Sequence, residues 1–298
     1  MWRWQGSALG ADAAILLVHP DPDAAQAASI ACVAEIERLE RIFSLYRADS
    51  ALSRLNRAGW LTAPPLELVD LLAFCARVSA ATGGAFDVTV QPIWNLYAHH
   101  FANPAADPAG PGHAALAAAM ERVDWRGIDI ATDRIAFHRT GMAATLNGVA
   151  QGYITDRIAD LLRSRGFTDL LVELGELRAV GRRPDGSSWQ AGMTNPLRPS
   201  VILRRLPLTN AALASSAGSG TWLDPSHRYH HLLDPATGRS ATHHAGVSVM
   251  ASRATVADAM STALSILPAA QAPAALASFG PATAYLVSPG GGQSIIAG

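Results

Sequence analysis

A carboxylate and a hydroxyl four residues apart, in Asp258-Ala-Met-Ser-Thr262, are the first groups in this chain that could do chemistry together. The stretch from Ala254 to Leu267 has helical spacing, so Asp258 and Thr262 project from one face. Two hard oxygens on a rigid helix suit a divalent cation such as Mg2+, which takes oxygen ligands together with substrate phosphates. Alone the pair is weak, because surface helices carry Asp and Thr at this spacing for no catalytic reason.

Four other segments offer groups of a complementary kind. In Leu146-Asn-Gly-Val-Ala-Gln-Gly-Tyr153, small residues sit where a helix opens at Asn147–Gly148. The free N–H groups and positive dipole end of such a start can hold an anion such as pyrophosphate. The same residues equally describe a capped helix packed tightly on a sheet. In Thr82-Gly-Gly-Ala-Phe-Asp-Val-Thr-Val-Gln-Pro92, the glycines let backbone approach a flat ring or a phosphate, and Asp87 can accept hydrogen bonds. The alternative there is a helix C-cap leading into a strand. His230-His-Leu-Leu-Asp-Pro-Ala-Thr-Gly238 reads as a strand ending in a turn served by Asp234. A lone strand histidine is more often structural than catalytic. Ser215 to Gly220 supplies hydroxyls and N–H groups that could line phosphates or simply form a turn. The pairs His99-His100 and His243-His244 lack ligand spacing and read as surface loops.

Taken in chain order, these segments carry a resemblance. Phe43-Ser-Leu-Tyr-Arg-Ala-Asp-Ser50 with Ser53-Arg-Leu-Asn56, then Thr82 to Pro92, Asn147 to Asp156, His230 to Gly238 and Ala257 to Ala263 resemble the ApbE family, the FAD:protein FMN transferases. The similarity runs from about Leu9 to the C-terminal strands, and five motifs in order are far more specific than any one. The Gln-containing middle motif and the Phe43–Arg47 segment look closest to the NosX-like branch, which is associated with maturing the flavoprotein partner of nitrous oxide reductase.

The resemblance implies an α+β fold of T-fold-related mixed sheets with packed helices, forming a single large domain of two intertwined lobes over residues 1–298. It implies Mg2+ held by Asp258, Thr262 and the Gly148 carbonyl, and FAD as substrate. Gly84, Ala85 and Phe86 match positions lining the FAD site, as do Tyr46 and Leu9, where the family usually has Met. Asp87 joins them as a hydrogen-bond acceptor. His231 matches a histidine beside the diphosphate, a candidate general base. Two positions depart from the family: Thr145 stands where Asp is common, and Gln151 where Lys or Glu is common, leaving hydrogen bonds rather than charge to bind FAD. The implied reaction moves FMN to a Ser/Thr hydroxyl of an acceptor flavoprotein, NosR-like or a similar redox subunit, and releases AMP. An Mg2+-dependent FAD pyrophosphatase and a non-catalytic FAD-binding maturation factor are the competing readings.

Bulk properties exclude other classes. Of 298 residues, 49% are hydrophobic and 16% charged, as in a globular protein, and the length can bury a substantial core. All 23 basic residues are Arg, scattered rather than striped, and the net charge is -1, which argues against nucleic-acid binding. No apolar run suits a transmembrane segment. Met1-Trp-Arg-Trp-Gln-Gly-Ser shows no signal peptide, so the expectation is a periplasmic protein if an export signal was removed and a cytoplasmic one if Met1 is the native start. Cys32 and Cys75 lie in apolar helical patterns and read as buried thiols.

The elements that must position these groups follow from periodicity and punctuation. A strand over Ala13–His19 leads into a long helix capped by Asp21 or Asp23 and running to about Phe43, with Ile30, Val33, Ile36, Leu39 and Ile42 on its stripe. A second helix covers Leu66 to Ala81 and stops at Gly83-Gly84, and residues 99–114 read as a loop or insertion. A strand over Arg134–His138 and a helix from Asn147 follow. From Asp169 short strands alternate with turns, then come the Asp258 helix, another from Ala269 to Phe279, and two closing strands. Neither a dinucleotide fingerprint nor a Walker loop is present.

Overall fold

A computed structural model of the chain describes residues 1–8 and 10–298; Leu9, expected at the flavin site, lies outside the described residues. The chain opens with β1 (Trp2–Ala8) and β2 (Ala11–Leu17), followed by α1 (Pro22–Phe43). Asp21 caps α1, its Oδ1 accepting from the amides of Asp23 at 2.9 Å and Ala24 at 3.3 Å, and Pro22 sits where a missing N–H costs nothing. Ile36, Leu39 and Ile42 are buried, but Ile30 is 65% exposed. A strict three-residue repeat precesses by roughly 60° per step around a helix, so the stripe has left the core by Ile30.

Next come α2 (Ala51–Ala58), β3 (Trp60–Thr62), α3 (Leu66–Ala81), α4 (Gln91–Phe101), α5 (His113–Met120), β4 (Ile128–Ile130), β5 (Arg134–Phe137) and α6 (Ala150–Ser164). The rest is strand-rich: β6 (Leu170–Glu173), β7 (Leu177–Val180), β8 (Trp189–Asn195), β9 (Arg198–Leu208), β10 (Ala212–Ala217), β11 (Leu233–Asp234), β12 (Arg239–Ser240) and β13 (Gly246–Ala251). It closes with α7 (Ala254–Ile266), α8 (Ala272–Ala277), β14 (Ala282–Val287) and β15 (Gln293–Ala297).

Among the described residues, eight strands form the main sheet in the order β1-β2-β6-β7-β10-β13-β14-β15, antiparallel at each pairing. The expected α+β class therefore holds, with the N- and C-terminal parts of the chain sharing one sheet. The largest apolar core joins this sheet to α1, α3, α6 and α7 through residues such as Ile15, Leu39, Ile158, Val249 and Met260. A second core, with Leu171, Trp189, Leu208 and Tyr285, lies under the β8–β9 hairpin. Smaller sheets, β3-β5-β4 and β11-β12, stand apart from the main one.

The structure corrects several local expectations. Residues 99–114 are not all loop: α4 runs through His99 and His100 to Phe101, and α5 begins at His113. Pro92 near the start of α4 fixes backbone there, and buried Ile93 and Tyr97 anchor it against α5 and Leu233. The helix expected from Asn147 starts at Ala150; the preceding residues turn back on themselves, with the amides of Val149 and Ala150 both bonded to the Leu146 carbonyl. The strand expected over His230–Leu233 reduces to a single bridge from His230 to Trp222 and the two-residue β11. Cys32 and Cys75 are buried free thiols, as expected.

Candidate active site

Two helices meet at a point where one of them has no room for a side chain. A Cβ on Gly152 of α6 would lie 2.4 Å from the Ala254 carbonyl oxygen and 2.7 Å from Asp258 Cβ, so α6 and α7 touch backbone to backbone. At that point the Gly152 amide donates to Asp258 Oδ2 at 2.9 Å. One turn along α6, Asp156 caps α7 from outside it. The carboxylate accepts from the amides of Ala254 (3.0 Å) and Thr255 (2.9 Å) and from the Thr255 hydroxyl (2.7 Å). Arg178 Nε at 3.5 Å and Arg253 Nε at 3.2 Å offset its charge. These contacts fix the rotation of α7, and Asp258 and Thr262 face one cavity of about 290 Å3.

Gly148 completes the group. A Cβ there would fall 2.9 Å from Thr262 Oγ1, so the turn before α6 lies directly on that hydroxyl. From β10, Ser216 Oγ sits 2.7 Å from Ser261 Oγ and 3.4 Å from Thr262 Oγ1. The three residues expected to act together, Gly148, Asp258 and Thr262, thus line the same cavity.

Glu176, which sequence reading missed, lines it too. It is only 8% exposed and sits between β6 and β7. Burial pushes its carboxyl well above the usual range, the neighbouring Asp258 adds to this, and a hydrogen bond from the Ser215 amide opposes it. Burial likewise pushes Asp258 up to about 7, against the Gly152 amide. The only signal for Glu176 in the sequence is an acid placed between two apolar runs, after Leu174 and before Leu177. Two buried acids, a hydroxyl and a peptide oxygen, with no Arg or Lys among the lining residues, fit a hard divalent cation by donor type and by charge. Among the described residues no three His, Cys, Asp or Glu side chains gather to hold a metal, so any such site must use hydroxyl or backbone oxygens.

The remaining expected residues divide. Thr145, Gln151, Ala85, Phe86, Asp87, Tyr46 and His231 all line the cavity. Tyr46 stands at the rim, 86% exposed, and Phe86 is buried. Gly84, with φ +87°, makes the turn ahead of them but is set back from the lining. Asp87 is committed to structure: Oδ1 accepts from the Thr89 amide and hydroxyl at 2.7 and 2.6 Å, and Oδ2 from the Trp125 amide at 3.1 Å. Thr145 props the Gly148 turn, its Oγ1 accepting from the Asn147 amide at 3.2 Å. Gln151 packs on Gly175, where a Cβ would meet its Nε2 at 2.5 Å.

His231 is half-buried, and its Nδ1 lies 3.2 Å from the Thr221 carbonyl. A carbonyl only accepts, so Nδ1 carries the proton and Nε2 keeps its lone pair. Burial lowers the pKa of this imidazole, with the adjacent His230 contributing and the Thr221 carbonyl opposing. His230 turns the other way, its Nε2 on the Ala241 carbonyl at 2.9 Å. Asp234 serves its turn as expected, accepting from the Ala236 amide and the Thr237 hydroxyl.

Comparison with known proteins identifies the family and the fold. The ApbE family model matches residues 9–286. The FAD:protein FMN transferase of Haemophilus influenzae is 30% identical over 239 residues, which cover 75% of this chain and 68% of that protein. The protein of the same name from Klebsiella pneumoniae is 28% identical over 235 residues, covering 75% and 66%. The chain thus spans about two thirds of the length of these relatives. The apo crystal structure of Pseudomonas stutzeri flavinyl transferase ApbE has a TM-score of 0.81 at 27% identity, covering 99% of this chain and 94% of that one. For the fold alone, the apbe protein of Thermotoga maritima gives 0.87 at 23% identity, covering 98% and 96%. Matched over nearly its whole length, the chain belongs to the ApbE family.

Proposed function

We propose that the cavity between α6 and α7 binds FAD with its diphosphate over Gly148, Asp258 and Thr262, and that His231 serves the incoming nucleophile. As a family member the chain is an FAD:protein FMN transferase. One observation supports this course of the reaction: an imidazole with a free Nε2 shares a cavity with the Asp258, Thr262 and Gly148 oxygens. When bound, Mg2+ would neutralise charge on the diphosphate. Asp258, Thr262 and the Gly148 carbonyl would hold it.

The chain's own residues account for the other steps. His231 Nε2 accepts the proton of an acceptor Ser or Thr hydroxyl. That oxygen forms a bond to the FMN-side phosphorus as the bond to the AMP-side oxygen breaks, leaving FMN in phosphoester linkage and AMP free. The amides opening α6 and the hydroxyls of Ser216 and Thr221 are placed to hold phosphate oxygens. Ala85 and Phe86 offer an apolar wall for flavin or adenine. The reading extends to a NosR-like periplasmic acceptor, supported by the Phe43–Arg47 and Asn147–Tyr153 segments of the NosX-like branch.

The test is to incubate the protein with FAD, Mg2+ and a candidate acceptor domain and to weigh the acceptor. An EDTA-sensitive gain of one FMN, lost in Asp258→Ala, is expected. FMN release without an acceptor would instead indicate a pyrophosphatase, and bound FAD with neither product a binding factor.

A further inference from the structure

The β8–β9 hairpin has a packed side and an open one. Trp189, Ala191, Met193, Leu206 and Leu208 face inward to the second core. From Leu197 to Arg205 every residue is exposed except the half-buried Leu203. The exposed set mixes apolar and basic groups: Leu197 (49% exposed), Val201 (40%) and Ile202 (46%) with Arg198, Arg204 and Arg205. No Asp or Glu stands between Asp185 and Asp224, so these three arginines are the only charged groups of that stretch. Among the described residues none of them is ion-paired, and Arg204 lies over the Tyr285 ring. The strand pairing breaks on this same face. Thr194 opposes Ile202 and Asn195 opposes Arg198, so Pro199, Ser200 and Val201 bulge out of the ladder. A bulge carrying a proline blocks the addition of another strand, which leaves the side chains as the surface on offer.

The hairpin tip adjoins the wall of the cavity. Ser219 Oγ donates to the Pro196 carbonyl at 3.2 Å, and the next two residues, Gly220 and Thr221, line the cavity. A Cβ on Gly246, where β13 begins, would lie 2.9 Å from Pro196 Cβ, so the tip is seated against the main sheet. Specific protein interfaces bury about 800 Å2 of each partner, far more than the mouth of a small cavity offers. A protein that delivers a hydroxyl to this cavity therefore needs contact on the surface around it. We propose that the exposed face of the β8–β9 hairpin docks the acceptor protein, through a patch on that protein that is acidic and partly apolar. The proposal rests on the flavin-transferase reading. Unpaired arginines suit an acidic partner, and Leu197, Val201 and Ile202 suit an apolar one. An anionic lipid surface would use both features but gives no reason for a position beside the cavity.

The experiment measures kcat, KM for the acceptor and KM for FAD in FMN transfer by the full chain to a flavoprotein acceptor domain, over a range of salt. Arg198→Glu combined with Arg205→Glu is expected to raise KM for the domain at least tenfold, within the about 10–10³ that charge steering contributes. The wild-type KM should rise with salt, and the charge-reversed protein should lose that dependence. Val201→Ser combined with Ile202→Ser should raise the same KM while keeping the salt dependence. In both variants kcat, KM for FAD and the melting temperature should hold, because every substituted side chain is exposed. An acceptor KM equal to wild type in both variants would overturn the proposal and leave the transferase reading standing. Binding to phosphatidylserine vesicles that is lost on charge reversal, with the acceptor KM unmoved, would overturn it in favour of a membrane. No FMN gained by the domain from the wild-type protein would remove the transferase reading and the proposal with it.

Discussion

At position 148 any side chain would displace the hydroxyl of Thr262. Gly148→Ala would put a methyl 2.9 Å from Thr262 Oγ1 and 3.0 Å from its Cγ2, so Thr262 must shift. We expect at least a tenfold loss of FMN transfer with little change in the melting temperature, checked by acceptor mass spectrometry and thermal unfolding. In the proposed role as general base, His231 sets the pH dependence. Its pKa lies below the ordinary histidine value of about 6.5, so Nε2 is available at neutral pH and is lost only as pH falls through that lowered value. The acid limb of kcat/KM should therefore lie below pH of about 6.5, and His231→Ala should remove the limb and cost about 10²–10⁴ in rate. The residue types at Asp258, Thr262 and His231 were readable because hydroxyl, carboxylate and imidazole declare their chemistry. Asp87 lines the cavity and accepts hydrogen bonds, but its three donors, two of them from Thr89, belong to the protein itself, which residue type alone does not declare.

At the scale of elements, the site depends on how α7 lies against α6. Gly152→Ala would force a Cβ to within 2.4 Å of the Ala254 carbonyl, which is backbone and cannot rotate away. The expected cost is about 1–3 kcal/mol or more in chemical denaturation, with the proposed cation site disrupted as the helices separate. Asp156→Ala removes the cap of α7 and leaves Arg178, only 7% exposed, without its counter-charge. Breaking a buried pair from one side costs about 3–5 kcal/mol, and urea unfolding should register it. The helices α1 and α3 were legible because caps and apolar periodicity act within one or two turns. The extension of α4 over His99 and His100 was not, since Tyr97, Phe101 and Tyr229 stack only once distant segments pack together.

At the scale of the molecule, one core spans the sheet and the helices behind it, and both thiols sit inside it. Burial pushes Cys32 up to about 12 and raises Cys75 as well. The native protein should resist thiol reagents, and 2 thiols should titrate only as it unfolds, so alkylation followed by mass measurement reports global opening. From the amino-acid order alone came the family, the α+β class, most helices and strands, and the identity of the oxygens and imidazole that could act on a phosphate. Those rest on local periodicity, on caps and on residue chemistry, which neighbours a few positions away decide. What only the tertiary structure decided was convergence: Gly152 beside Asp258 across 106 residues, the Gly148 turn on Thr262, and Glu176 buried beside Asp258. An acid at the end of a strand declares neither its burial nor its neighbour. Both come from packing the β6–β7 turn near α7, and packing is a property of the whole fold.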